Sequence, residues 1–219
     1  KTQFLFKKYN VRSYRCIATE ACRKAINAPE LLREVKLRSG INVEIISAEE
    51  EAKLCLKSCS KSILNENQYS LIFDIGGGST ELIFYNKSYE NSFNYITLPY
   101  GVLNLDEYFS VLTREKVINL INKELHFFKE KFFKNNLHYN AIGCCMTATS
   151  LACINRNISF YDKKIINQLE ISYSSIKNTC ENLESSQFSE SSISLRHSKY
   201  HLLKNGNFIF DKILKFFKF

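Results

Sequence analysis

Hydrophobic and polar positions alternate between strand and helix periods along this chain. "YRCIATEA" opens with a short strand, about 13–18, that runs into helix near Glu20. Pro29 suits the first turn of a helix continuing through "ELLREVKLRSG", and Gly40 marks its end. "INVEII" (41–46) is strand-like. In "SAEEEAKLCLKSC", Ser47 is an N-cap candidate with Glu50 three residues on, the spacing of a capping box, so a helix is expected to about Ser60. The polar "NENQ" (65–68) reads as a domain seam. "YSLIFDI", "STELIFY" and "SFNYITLP" then predict three strands in an antiparallel meander. Helices are expected at about 102–110 and 114–134, the second with Val117, Leu120, Ile121, Leu125 and Phe128 on one face. "LHYNAIGC" (137–144) reads as a strand leading into the helix "TATSLACI", and helices at about 173–184 and 195–217 complete the pattern. The alternation together with the meander argues an α/β or α+β fold, with helices packed on mixed sheets.

Length and composition narrow this further. The 219 residues suit one large domain or two small ones, and a hydrophobic content of 45% fills a core. With 7 Gly and 2 Pro, this is not a linker-rich or disordered chain. No 18-residue apolar run occurs, so no membrane span is expected, and Lys1 opens no signal-like segment. The net charge of +8 fits either a solvated basic surface or attraction to polyanions such as polyphosphate or highly phosphorylated nucleotides. The basic residues form no helix-turn-helix or zinc arrangement, so specific DNA binding is not expected. The 8 Cys include no CxxC pair, and the 4 His lie in no ligand spacing with them. Cys55 and Cys59, one helical turn apart, read as helix packing. Reduced thiols in a cytoplasmic protein are expected.

The candidate chemistry starts at "FDIGGGSTELIFYN" (73–86). Gly76, Gly77 and Gly78 predict a tight turn able to take positive φ, whose bare amides converge on an anion such as phosphate. Ser79 and Thr80 add hydroxyls; Asp74 and Glu81 offer hard oxygens for Mg²⁺ or an attacking water. In "ISAEEEAKL", Glu49 and Glu50 suit the helix dipole, while Glu51 is a candidate to orient water against phosphorus. In "ATEACRKAIN", the fork of Arg23 matches phosphate oxygens. In "AIGCCMTATSLA", Gly143 ends a strand and Thr147 opens a helix, an arrangement suited to anions.

These segments together resemble the exopolyphosphatase / guanosine pentaphosphate phosphohydrolase (Ppx/GppA) family, of the sugar kinase–Hsp70–actin superfold. "FDIGGGSTELIF" is similar to its second phosphate loop, "ATEACRKAIN" to the segment of its phosphate-binding arginine, and "IISAEEEAKL" to the segment whose last Glu, here Glu51, is the catalytic base. "TLPYGVLNLDEYF" also matches, and weaker similarity runs through "YDKKIINQ" and "KYHLLKNGNFIF". The resemblance implies an actin-like, ribonuclease H-like fold with helices on both faces of mixed sheets. It implies Mg²⁺-dependent cleavage of phosphoanhydride bonds in polyphosphate or guanosine pentaphosphate. Asp74 and Glu81 would hold the metal; Glu81, Glu51 and Arg23 would serve catalysis. Gly76, Gly77, Gly78, Ser79, Thr80, Gly143 and Thr147 would grip phosphate. No DNA or membrane partner is implied, and a homodimer is left open.

Two departures qualify the match. The family's earlier Asp-x-Gly-Ser/Thr-Asn-Ser loop does not occur, so residues 1–62 are expected to be part of a first actin-like domain, left incomplete, and 63–219 a second domain with C-terminal helices. Cys144, Cys145 and Met146 stand where relatives carry small residues, and Asn167 and Gln168 replace an acid-or-His and Gly pair. The alternative to an enzyme is therefore a catalytically impaired, phosphate-binding remnant. A sugar or acetate kinase would share the glycine loop but not the Arg23 and Glu51 context.

Overall fold

The computed structural model describes residues 2–63, 69–88, 93–132, 139–159, 161–185 and 200–218. They form two compact units, Lys1–Lys53 and Leu54–Phe219. The expected boundary at 62/63 lies C-terminal to this division, and the expected seam at 65–68 is outside the described residues.

The first unit begins with α1 (Thr2–Lys8). Strands β1 (Cys16–Ala18) and β2 (Val43–Ile45) pair in parallel, Cys16 opposite Val43 and Ala18 opposite Ile45. A parallel pair needs a crossover. Helices α2 (Glu20–Lys24) and α3 (Ala28–Ser39) supply it. Gly40 ends α3 in the left-handed region at φ 65, its N–H bonded to the Lys36 carbonyl at 2.7 Å. Helix α4 (Ala48–Ser58) follows β2 and gives way to a 3₁₀ turn, Ser60–Ser62, so the α-helix ends short of Ser60. Ser47 Oγ accepts from the Glu50 N–H at 3.1 Å, which is half of the expected capping box. The Glu50 carboxylate instead binds Arg15, 2.6 Å away.

The second unit is built on a four-stranded sheet in the order β5-β4-β3-β6. Strands β3 (Tyr69–Ile75), β4 (Thr80–Asn86) and β5 (Phe93–Leu98) form the expected meander. β6 (Tyr139–Gly143) returns parallel to β3, after α5 (Leu105–Val111) and α6 (Arg114–Phe132). Both faces of β3 and β4 are buried. Leu71, Phe73, Ile75, Leu82 and Phe84 join the main core, while Ile72 and Ile83 on the opposite face are equally inaccessible. Near-continuous apolar strands of this kind are what a sheet covered on both sides requires.

Helices α7 (Met146–Asn155), α8 (Lys163–Ile166), α9 (Tyr173–Glu184) and α10 (Tyr200–Phe217) complete the unit. α10 packs against α6, α7, α9 and β3 and is buried over most of its circumference. Its buried Asp211 is held by Lys212 and Lys215, each at 2.9 Å. On α6 the buried stripe is Val117, Ile121, Leu125 and Phe128, in steps of three and four. Leu120, expected on that face, is 41% exposed because its position lies at the stripe's margin.

Candidate phosphate and metal site

The β3–β4 hairpin closes with the Gly76 N–H donating to the Ser79 carbonyl at 2.8 Å. The expectation of positive φ here is corrected by the backbone: among the glycines only Gly40 lies in the left-handed region. Bareness is required by close approach instead. A Cβ on Gly101 would stand 2.4 Å from the Gly77 oxygen, and one on Gly77 would stand 3.0 Å from Leu103 Cδ1.

The segment after β5 therefore lies directly on the hairpin and binds its carbonyls. Val102 N–H donates to Gly76 O (2.9 Å), Leu103 N–H to Gly77 O (2.8 Å), and Asn104 Nδ2 to Gly78 O (2.9 Å). Asn104 is itself fixed by the Gly101 N–H at 2.8 Å and the Pro99 carbonyl at 3.0 Å. All three glycine carbonyls are thus taken by this segment. Among the described residues, the N–H groups of Gly77, Gly78 and Ser79 donate no hydrogen bond. Successive unbonded amides of this kind form an anion nest. Sequence reading missed Asn104 and Gly101; "TLPYGVLNLDEYF" carried them only as a family match.

At the hairpin's base, Asp74 on β3 stands opposite Glu81 on β4, and Thr97 on β5 stands opposite Glu81. Glu81 is buried, with Ser79 Oγ donating to its Oε1 at 2.8 Å. Thr80 Oγ1 is committed to the Tyr100 carbonyl at 2.7 Å, so it braces the loop. Thr97 Oγ1 is buried with no hydrogen-bond partner. Two carboxylates and an orphaned hydroxyl on one cross-strand row are hard oxygen donors, a set that fits Mg²⁺. Thr97 gave no signal in the sequence beyond its place in a strand.

The row continues past Asp74. β6 pairs Gly143 with Phe73, so Cys144 is the next position beside Asp74, and its N–H donates to the Phe73 carbonyl at 3.2 Å. Cys144 Sγ meets Cys55 Sγ at 3.2 Å. Hydrogen bonds with Cys144 and then Cys55 hold the Cys59 thiol well below its ordinary range, against burial. Contacts with Cys55 and then Cys59, together with burial, push Cys144 up. The reading of Cys55 and Cys59 as helix packing alone gave no sign of this cluster.

The second expected loop is occupied differently. A Cβ on Gly143 would stand 2.5 Å from Ala148 Cβ and 2.7 Å from Phe73 Cζ, so its bareness serves packing between β6 and α7. α7 starts at Met146, capped by the Cys145 sulfur accepting from the Ala148 N–H at 3.4 Å. Thr147 is buried, and a Cβ on Gly206 would stand 2.2 Å from its Oγ1, so this side chain lies against α10. Met146 is 53% exposed and stays out of the core. Gln168 takes φ 63, the left-handed geometry that suits the glycine of relatives, and its Nε2 donates to the Lys61 carbonyl at 2.8 Å.

In the first unit, the other two catalytic candidates meet. Arg23 Nη2 approaches Glu51 Oε2 at 2.8 Å, while Arg23 Nη1 donates to the Ile46 carbonyl at 3.0 Å. Glu51 Oε2 is buried, and the approach of Arg23 lies off the hydrogen-bond direction, leaving that oxygen an ion pair but no aligned donor.

A mixed α/β sheet ended by a glycine hairpin and a row of acids defines the actin-like class of phosphate-binding folds. The chain belongs to the Ppx/GppA phosphatase family, whose family model matches residues 3–219. The crystal structure of the Aquifex aeolicus Ppx/GppA family member superposes with a TM-score of 0.74 at 28% identity, over 99% of this chain and 71% of that one. An exopolyphosphatase from Cytophaga hutchinsonii shares the fold, with a TM-score of 0.72 at 20% identity, over 98% of this chain and 71% of that one. Retrograde regulation protein 2 of Saccharomyces cerevisiae is 37% identical over 92 residues, which span 41% of this chain and 15% of the yeast protein. Among the described residues, no helix is long and apolar enough to cross a membrane.

Proposed function

We propose that the chain belongs to a Mg²⁺-dependent phosphohydrolase that cleaves terminal phosphoanhydride bonds of inorganic polyphosphate or of guanosine pentaphosphate. The observation that carries this reading is the hairpin, with its glycine carbonyls bound by the 102–104 segment and three successive amides undonated, next to the paired acids Asp74 and Glu81. The amides of Gly77, Gly78 and Ser79 grip phosphate oxygens without Cβ atoms in the way at Gly77 and Gly78. Asp74, Glu81 and the Thr97 hydroxyl hold the cation, which when bound neutralises charge developing on the phosphate. Glu51, paired with Arg23, takes the proton from the attacking water. Arg23 orients that carboxylate through the ion pair and offers its remaining donors to phosphate. Phosphoryl transfer asks for little else, being mostly positioning and electrostatics. The +8 charge favours polyanionic substrates, and free thiols throughout suit the cytoplasm.

A second reading, binding without turnover, is favoured by Thr147. Its side chain is spent on packing against Gly206, so the second loop offers phosphate less than relatives' small residues would. Orthophosphate release from polyphosphate and from guanosine pentaphosphate, with and without Mg²⁺, separates the two. Mg²⁺-dependent release that Glu51→Gln abolishes supports the enzyme; retained polyphosphate binding with no release supports the second reading.

A further inference from the structure

The thiol cluster has no part in phosphate hydrolysis as described. Cys55 Sγ, Cys144 Sγ and an Asp74 carboxylate oxygen lie within 4.8 Å of one another, with Cys55 buried and the other two partly so. Cys59, one turn beyond Cys55, is buried and donates its N–H to the Cys55 carbonyl at 3.2 Å, which sets the two side chains as neighbours on one face. Three sulfurs and an oxygen from α4 and its C-terminal turn, β3 and the β6–α7 loop are a donor set of different character from the acid row. A tetrahedral Zn²⁺ ion with bonds of about 2.3 Å needs its sulfurs about 3.8 Å apart. The present 3.2 Å separation reaches that by small rotations about χ1. Soft thiolates select ions of the zinc class over Mg²⁺.

We propose that Cys55, Cys59, Cys144 and Asp74 form a binding site for one soft divalent cation of the zinc class, adjoining the hard-oxygen row and sharing Asp74 with it. A soft ion seated there draws the Asp74 carboxylate away from Mg²⁺. The two sites are thus mutually exclusive at one carboxylate, and the chain carries an inhibitory metal site. Binding by itself is independent of the hydrolytic reading; the inhibition rests on it.

The test is Co²⁺ titration of the reduced 219-residue chain without oxygen. The expected result is one equivalent bound, with thiolate-to-cobalt charge transfer and the ligand-field bands of a tetrahedral ion, undisturbed by excess Mg²⁺. Zn²⁺ should displace Co²⁺ and protect Cys55, Cys59 and Cys144 of the unmutated chain from alkylation, as mapped by mass spectrometry. That readout does not depend on any variant folding. Cys55→Ser and Cys144→Ser should each lower affinity about tenfold or more, while Cys153→Ser leaves it unchanged. Absence of the charge-transfer band, unprotected cluster thiols, or a band that survives in both cluster variants overturns the site. Zn²⁺ should also slow Mg²⁺-dependent phosphate release, with a chelator restoring it. Normal spectra without this effect would overturn the inhibition and leave the binding site standing.

Discussion

Gly101→Ala tests why the hairpin is bare. The new Cβ would sit 2.4 Å from Gly77 O, 2.5 Å from Gly77 C and 2.6 Å from Gly78 N. All three are backbone atoms, so no flexible side chain can absorb the clash. Ordinary contact begins near 3.4 Å, so the hairpin and the 101–104 segment must part by about 1 Å (3.4 less 2.4). That displacement strains the three bonds from Val102, Leu103 and Asn104 to the glycine carbonyls. Each is worth about 0.5–1.5 kcal/mol, and part of that is lost together with an overpacking cost of about 1–3 kcal/mol. The expected destabilisation is about 2–4 kcal/mol by urea unfolding. Phosphate binding should weaken further, because the free amides move relative to Asp74 and Glu81. Gly76→Ala is the control: its Cβ would lie 3.2 Å from Ser79 O, a few tenths of an ångström too close, and should cost far less. If Gly101→Ala keeps both the stability and the tripolyphosphate affinity of the unmutated chain, the close-approach account of this loop is wrong.

Three further outcomes follow from the same geometry. Gly206→Ala drives a Cβ to 2.2 Å from Thr147 Oγ1 and should destabilise by about 1–3 kcal/mol; Thr147→Ala in the same chain should recover most of it, and denaturant unfolding of the double-mutant cycle reads the coupling. In the active enzyme, Glu51→Gln should lower kcat about 10²–10⁴-fold with little change in polyphosphate affinity, measured by phosphate release alongside calorimetry. Burial raises the Tyr139 phenol above its usual 10.0, so the folded state holds that proton more tightly than the unfolded chain. Its contribution is complete below about pH 10 and lost as pH rises toward the folded value. Tyr139→Phe, which also removes the 2.5 Å bond to the Phe217 carbonyl, should lower stability at neutral pH and flatten the alkaline limb of a stability–pH profile.

The meander, the alternation of strand and helix and the helix ends were legible in the sequence because each follows local rules: period, cap and stop. Gly40 was read correctly since a helix end is a local event. The hairpin glycines stood out for positive φ, whereas close approach is what requires bareness there, because their neighbour Gly101 comes from beyond another strand and no local rule reports it. Leu120 was misplaced by one position at the edge of a stripe, where periodicity discriminates least. Thr97 and Cys144 were invisible as site residues. Both reach the acid row only through strand register, which pairs residues far apart in sequence. Arg23 and Glu51 stood out by residue type and by family resemblance, while the ion pair that joins them within the first unit had no local signal.

The most direct measurement is the shift of backbone amide resonances when the ¹⁵N-labelled chain is titrated with tripolyphosphate and Mg²⁺. The account predicts large, saturating shifts at Gly77, Gly78 and Ser79, weakened by Asp74→Asn. Saturable binding that moves other amides while leaving those three in place would contradict it.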